Sequence, residues 1–311
     1  MTKRIIVTGA TGFIGRQTLR PLVDAGFAVH AISSNPRPLA DAEETGVTWH
    51  CHDILADRAF DPLFAEIQAT HLLHLAWYAA PGLYWTSLSN LDWVAASLDL
   101  ITSFSKHGGR RIVGAGSCAE YDWRYGYCSE TVTPTNPATL YGVSKDALWR
   151  LIEGMSAQLG LSSAWGRVFF LYGPHEHPNR LVSSVITSLL RNEAALCTSG
   201  EQVRDFLHVH DVGGALAALA ASDAPGPVNI GSGEPVRVKD IVQEIGRQMG
   251  GDRLLHLGAK PLSAAEPPLL VADNRRLAYE VGWRPSYNLE QGLADTIRWW
   301  RRQEDSRVDG K

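Results

Sequence analysis

Strand-like runs alternating with helical stretches, a glycine triplet directly behind the first strand, and a change of rhythm after Gly173-Pro174 predict an α/β fold. The expected architecture is a Rossmann-type doubly wound parallel sheet with a smaller, interleaved C-terminal substrate lobe. Arg4-Ile5-Ile6-Val7-Thr8 is an apolar run of strand length. A helix is expected over 13–25, although Pro21 inside it removes a hydrogen bond or kinks the axis. Strands follow over 28–33, 47–50, 71–76 and 111–115, with helices over 85–107 and 140–159 between and behind the later ones. Residues 163–170 and 227–230 supply two more strands, and such alternation implies right-handed crossovers. Beyond Gly173-Pro174 come a helix over 181–192, a helix beginning near Asp211 as its N-cap, and a helix over 241–249. A strand-like run over 254–257 precedes a last amphipathic helix in which Leu289, Leu293, Ile297 and Trp300 share a face. The predicted division gives 1–173 and 204–232 to the dinucleotide-binding unit, 174–203 and 233–303 to the lobe, and 304–311 to a fraying tail.

With 311 residues the chain can build one large domain and an appended lobe. A formal net charge of −4 without a basic block argues against a nucleic-acid partner. Cys51, Cys118, Cys128 and Cys197 show no metal or disulfide spacing, so reduced thiols in a cytoplasmic protein are expected. Residues 1–4 run straight into a strand, and the longest small-apolar stretch, 213–221, is far too short for a membrane span. Neither secretion nor membrane insertion is expected.

Thr8-Gly9-Ala10-Thr11-Gly12-Phe13-Ile14-Gly15 joins strand to helix. Glycines at 9, 12 and 15 let the backbone turn tightly and approach a pyrophosphate, whose charge the unpaired amides of the helix start receive. The second strand ends in Ser33-Ser34-Asn35-Pro36-Arg37, without the carboxylate that NAD-specific sites use on the ribose hydroxyls. Ser33, Ser34 and Arg37, with Arg16 as a second cation, suit a 2′-phosphate, so NADPH is the preferred cofactor and NAD the alternative. The other reading of Arg37 is a solvated loop charge.

Tyr141-Gly142-Val143-Ser144-Lys145 places a phenol and an ammonium four residues apart on one helix face. The expectation is that the cation lowers the phenol's pKa toward neutrality and makes it an acid–base group. Ser117 ends the fifth strand, and ligands of open α/β sheets bind at the carboxyl ends of strands. Ser117, Tyr141 and Lys145 are therefore the expected catalytic residues.

These segments, together with Asp53-Ile54, His74-Leu75-Ala76, Leu171–Pro174, Arg204–Val212 and Gly282-Trp283-Arg284-Pro285, resemble the extended short-chain dehydrogenase/reductases, the NAD-dependent epimerase/dehydratase family acting on nucleotide sugars. The resemblance implies that Asp53 and Ile54 contact adenine, that Leu75 and Ala76 lie beside the cofactor, and that Lys145 holds the nicotinamide ribose. It implies that Tyr141 exchanges the proton, that Ser117 bonds the reacting oxygen, and that Arg204 grips the substrate diphosphate. A structural salt bridge is the other reading of Arg204. Arg180 is a further substrate-contact candidate. Trp77, Tyr78 and Trp123 either line the sugar pocket or pack the core.

Cys118-Ala119 stands where sugar dehydratases of that family carry an Asp-Glu pair, which disfavours water loss. Phe170 replaces the family's diphosphate-binding asparagine. Ala76-Trp77-Tyr78 and Glu120-Tyr121-Asp122-Trp123 resemble its sugar 4-ketoreductases. The expected reaction is NADPH-dependent reduction of a nucleotide-linked 4-keto-6-deoxyhexose. An NAD-dependent 4-epimerase is the alternative, and a non-catalytic dinucleotide sensor the alternative of another class. His175, His177, His208 and His210 are not expected to bind a metal, although His175 or His177 can touch substrate. Relatives pair through the helices over 85–107 and 140–159, which implies a homodimer.

Overall fold

The computed structural model describes residues 3–35, 46–263 and 266–309, with backbone alone over 307–309. Its central sheet holds seven strands: β1 (Arg4–Thr8), β2 (Ala28–Ser33), β3 (Val47–Cys51), β4 (His71–His74), β5 (Arg111–Ser117), β6 (Ser162–Val168) and β7 (Gly226–Ile230). They lie in the order β7-β6-β5-β4-β1-β2-β3, and every adjacent pair is parallel. Order reverses between β1 and β4, so the carboxyl ends of these two strands flank the crevice where such sheets bind ligands.

Alternation along the strands builds two cores. Ile5 and Val7 point to one face, where they meet Leu19 and Leu22 of α1 (Gly15–Asp24) and Val212 and Leu216 of a later helix, Val209–Ala221. Ile6 points to the other, among Leu100 of α2 (Ser89–Lys106) and Leu148 and Trp149 of α3 (Leu140–Leu159). Trp165 on β6 is fully buried in this second core, and its indole lies across β5. A Cβ at Gly114 or at Gly116 would sit 2.1 Å from that indole. The glycines of β5 are therefore required by the tryptophan beside them.

A second sheet orders Pro235–Arg237, Val203–His208, Leu269–Ala272 and Tyr127–Cys128, with Phe170–Tyr172 paired to Val203–His208. Helices Leu181–Leu190, Val238–Met249 and α4 (Leu289–Asp309) enclose the lobe's own core, which contains Ile186, Ile241, Ile245, Leu293, Ile297 and Trp300. Among the described residues no helix is long and apolar enough to cross a membrane.

Several expected elements differ. The strand over 163–170 is two: Phe169 N–H bonds Ile230 O, and the chain then leaves the central sheet for the second one. Val203–His208, grouped from the sequence with the dinucleotide unit, pairs in the second sheet. Asp211 lies within the first turn of Val209–Ala221 rather than capping it. Its carboxylate instead accepts Ser286 N–H, Ser286 O–H and Tyr287 N–H, tethering the C-terminal segment. Helix α1 runs through Pro21, and Ala25 N–H still reaches Pro21 O at 3.0 Å.

Replacing the indole that spans β5 leaves a cavity facing two glycines. Trp165→Ala is expected to lower the unfolding free energy by about 3–5 kcal/mol in urea denaturation. A loss below about 1 kcal/mol is incompatible with the packing described.

Candidate active site

The glycine turn is shaped by what it touches. Gly9 has a φ of 66°, and a Cβ there would stand 2.7 Å from Ala76 N. One at Gly15 would stand 2.1 Å from Gly9 O. Side chains would fill this cradle, whereas bare backbone leaves it open, so the turn fits a dinucleotide's pyrophosphate.

Thr8 ties the turn to β4. Ser97 O–H donates to Trp93 O, so Ser97 Oγ accepts from His74 Nε2–H, and His74 Nδ1 accepts from Thr8 O–H. Thr8 Oγ1 is then the acceptor for Leu75 and Ala76 N–H. This assignment requires neutral His74, and burial, with Lys145 adding to it, pushes its pKa down to about 3.

Ser117 ends β5 in extended conformation and caps a short turn over Cys118–Glu120, its Oγ accepting Ala119 N–H. Glu120, 0% exposed, accepts Ser117 N–H at 2.8 Å, Trp165 Nε1–H at 2.9 Å and Arg167 Nε–H at 2.7 Å. Helix α3 rests on this turn: a Cβ at Gly142 would lie 2.4 Å from Ala119 O. Thr139 caps α3 by accepting Gly142 N–H, and Tyr141 N–H bonds Trp85 O at 3.1 Å. Lys145 Nζ donates to Ala115 O at 2.8 Å and stands 3.7 Å from the centre of the Trp77 ring.

The phenol departs from expectation. Lys145 Nζ is 6.0 Å from the Tyr141 ring centre and is engaged by Ala115 and Trp77. Burial pushes the Tyr141 phenol up, with Tyr84 adding to it and hydrogen bonding to Ser117 opposing it. Burial also brings Lys145 down to about 7, against the pull of Glu120. Desolvation thus outweighs the expected acidification.

A cleft of ≈ 800 Å³ joins the glycine turn to these groups, and Gly9, Gly12, Phe13, Ile14, Gly15, Leu75, Trp77, Ser117, Tyr141, Lys145 and Arg180 all line it. Residues 5–231 match the family described as "NAD dependent epimerase/dehydratase family". The chain belongs to that family. It is accordingly an enzyme of the nicotinamide-dependent oxidoreductase type. Relatives include UDP-glucuronic acid decarboxylase 1 of Xenopus tropicalis, 26% identical over 319 residues that cover 99% of this chain and 75% of the relative. The dTDP-6-deoxy-L-talose 4-dehydrogenase (NAD(+)) of Aggregatibacter actinomycetemcomitans is 29% identical over 251 residues, 77% of this chain and 88% of the relative. The solved structure of MoeE5 in complex with UDP-glucose and NAD has a TM-score of 0.82 and 29% identity, covering 97% of this chain and 99% of that one.

Ser33 and Ser34 end β2 beside the end of β3, where His52 N–H bonds Ser33 O. Asp53 there accepts Leu55 and Ala56 N–H, and Ile54 is buried in the α2-side core. Arg37 lies outside the described residues. Arg16 is on the cleft wall, where it bonds Thr11 O and His175 Nδ1. Tyr78 and Trp123 are not on the cleft wall; the Trp123 indole N–H bonds Cys118 O. Arg204, 1% exposed, pairs with Glu266 at 2.6 Å, donates to the Val203 and Pro267 carbonyls, and lies 5.4 Å from the ring of Phe170 on the cleft wall. The ion pair of the alternative reading is present.

The cleft also has walls that sequence reasoning missed. Tyr84 and Trp85 come from the loop before α2, and Trp299, Trp300 and Gln303 from α4. His175 holds a φ of 70°, with its ring 4.6 Å from Trp299. Glu176, beside it, accepts Ser183 N–H and O–H, and burial pushes it up to about 7. Adjacent tryptophans near the C-terminus were the available signal, but only Trp300 was placed on the packing face.

Two outcomes follow. Gly15→Ala is expected to weaken dinucleotide binding more than about tenfold by calorimetry with an unchanged far-ultraviolet spectrum; unaltered affinity means the turn holds no pyrophosphate. Because His74 stays neutral when folded and titrates near 6.5 when unfolded, acid unfolds the protein partly through this proton uptake. His74→Gln is expected to flatten the fall in stability between pH 6 and 4 by about one proton, roughly 1.4 kcal/mol per pH unit. An identical slope in the variant contradicts the assignment.

Proposed function

We propose that this enzyme reduces the 4-keto group of a nucleotide-linked 4-keto-6-deoxyhexose with NADPH. The supporting observation is the meeting of the glycine turn with Ser117, Tyr141 and Lys145 around one cleft, next to a turn that offers no free carboxylate. Cys118 is buried and its thiol is pushed up, so it stays protonated; Ala119 has no titratable group. Glu120 is locked by Arg167, Trp165 and the Ser117 amide. Water elimination therefore has no free carboxylate on the turn that follows Ser117.

The glycine turn and the first amides of α1 would hold the pyrophosphate, Asp53 and Ile54 the adenine end, and Lys145 the nicotinamide ribose. When bound, the nicotinamide supplies hydride to a carbonyl carbon. The Ser117 hydroxyl, fixed by its bonds to the turn, donates to the carbonyl oxygen and stabilises developing charge. Tyr141, kept protonated by burial, delivers its proton to that oxygen. The Lys145 cation favours the phenolate left behind. Trp77 and Arg180 line the substrate end.

The NADPH preference rests on the end of β2, where Ser33 Oγ holds Asn35 N–H and no carboxylate stands at 33–35. The name of the talose 4-dehydrogenase describes this redox step read in the opposite direction, with NAD(+). We further propose a homodimer through α2 and α3, whose outer faces expose Leu91 and Leu151.

The test follows absorbance near 340 nm with NADPH, NADH and a panel of nucleotide-linked keto sugars. Net oxidation is expected, with higher kcat/KM for NADPH and a fall of about 10²–10⁴ in kcat for Tyr141→Phe. Isomerisation without net consumption favours the 4-epimerase, and binding without turnover across the panel favours the sensor. A Tyr141→Phe variant as fast as the parent overturns the mechanism.

A further inference from the structure

We infer that Asn90 is a positioning residue whose buried side-chain amide sets both aromatic walls of the site, Trp77 against Lys145 and Tyr84 against Tyr141. The inference rests on the catalytic reading above.

Asn90 lies in the first turn of α2 and is 0% exposed. Its Oδ1 accepts Trp77 Nε1–H at 2.8 Å, and its Nδ2 donates to the Tyr84 and Ser87 carbonyls, each at 2.8 Å. The orientation of the amide is dictated by its partners, since an indole nitrogen only donates and a carbonyl only accepts. Asparagine is a mediocre helix former, so this position is held by tertiary bonds rather than by propensity.

Two of the three bonds, those to Trp77 and Tyr84, end on residues whose rings pack against Lys145 and Tyr141. The Trp77 ring carries the Lys145 ammonium 3.7 Å from its centre and stacks on Trp93 at 6.1 Å. The Tyr84 ring meets Tyr141 edge-on, 4.8 Å between centroids and 81° between planes. The next residue, Trp85, receives the Tyr141 N–H on its carbonyl and presents its own ring edge-on at 5.7 Å. One amide therefore fixes the loop that flanks two catalytic residues, while touching neither. No other residue type supplies one acceptor and two donors at this reach: aspartate loses both donors, and leucine loses all three bonds.

The consequence is electrostatic. A π face opposite an ammonium favours its charged form. The other groups facing Lys145 are the Ala115 carbonyl, the Trp165 and Tyr141 rings, the Glu120 carboxylate, which raises its pKa, and neutral His74. Asn90 governs the Trp77 face among them.

The chain has six lysines, so Lys145 can be titrated directly by NMR in protein carrying ¹³Cε-lysine, its signal assigned by loss in Lys145→Arg. Asn90→Ala is expected to move the Lys145 midpoint down by about half a pH unit or more. Trp77→Leu moves it further, and Asn90→Ala adds nothing in the Trp77→Leu background, since the amide acts through the indole. Asn90→Ser, whose hydroxyl is too short to restore the three bonds, replaces Asn90→Ala if that variant fails to fold. A midpoint unmoved by loss of the amide, or shifts that add in the double variant, overturns the inference. This readout needs no turnover, so it is separable from the Tyr141→Phe test of the reaction itself.

Discussion

At the carboxyl end of the central sheet one carboxylate, Glu120, is sealed from water and shared among three donors on two adjacent strands. It accepts from the Ser117 backbone at the end of β5, and from Trp165 and Arg167 on β6. Burial pushes the Glu120 carboxyl up, and the Arg167 guanidinium opposes that shift. A buried ion pair adds little net stability over a well-packed apolar pair, but removing one member leaves a buried charge alone. Its contribution is therefore to geometry. It fixes the turn that carries Ser117, and that turn is the floor on which Gly142 and the start of α3 rest, so the serine and the tyrosine–lysine pair cannot shift independently.

The rest of the site elaborates this floor. Thr8, His74 and Ser97 lock the glycine turn to β4 on one side, and the loop before α2 closes over Tyr141 on the other. Water exclusion follows, and with it the electrostatics: the phenol stays protonated while the ammonium is brought toward neutrality. That combination suits a group whose task is to give a proton away more than one that must first take it.

What could be read from the sequence was what short-range spacing encodes. The glycine turn, the serine at the end of β5 and the four-residue step from Tyr141 to Lys145 each need only neighbouring residues, and the strand–helix alternation follows from local apolar patterns. The errors lie where the deciding partner is remote. Asp211 read as a helix cap because Ser286 and Tyr287, which it holds, are far along the chain. The carboxylate that pairs with Arg204, Glu266, could not be named because it lies far along the chain. The direction of the Tyr141 shift was missed because burial by Tyr84 and Trp85 depends on a loop fold that no motif announces.

The cleft wall contributed by α4 carries a temporal implication. Trp299 and Trp300 stand in the same cleft as Gly9, yet a ribosome reaches them well after the last central strand, Gly226–Ile230. Domains fold from the N-terminus during synthesis. The nascent polypeptide can thus complete all seven central strands and their glycine turn before α4 is translated, so this wall of the crevice is added only when that helix docks.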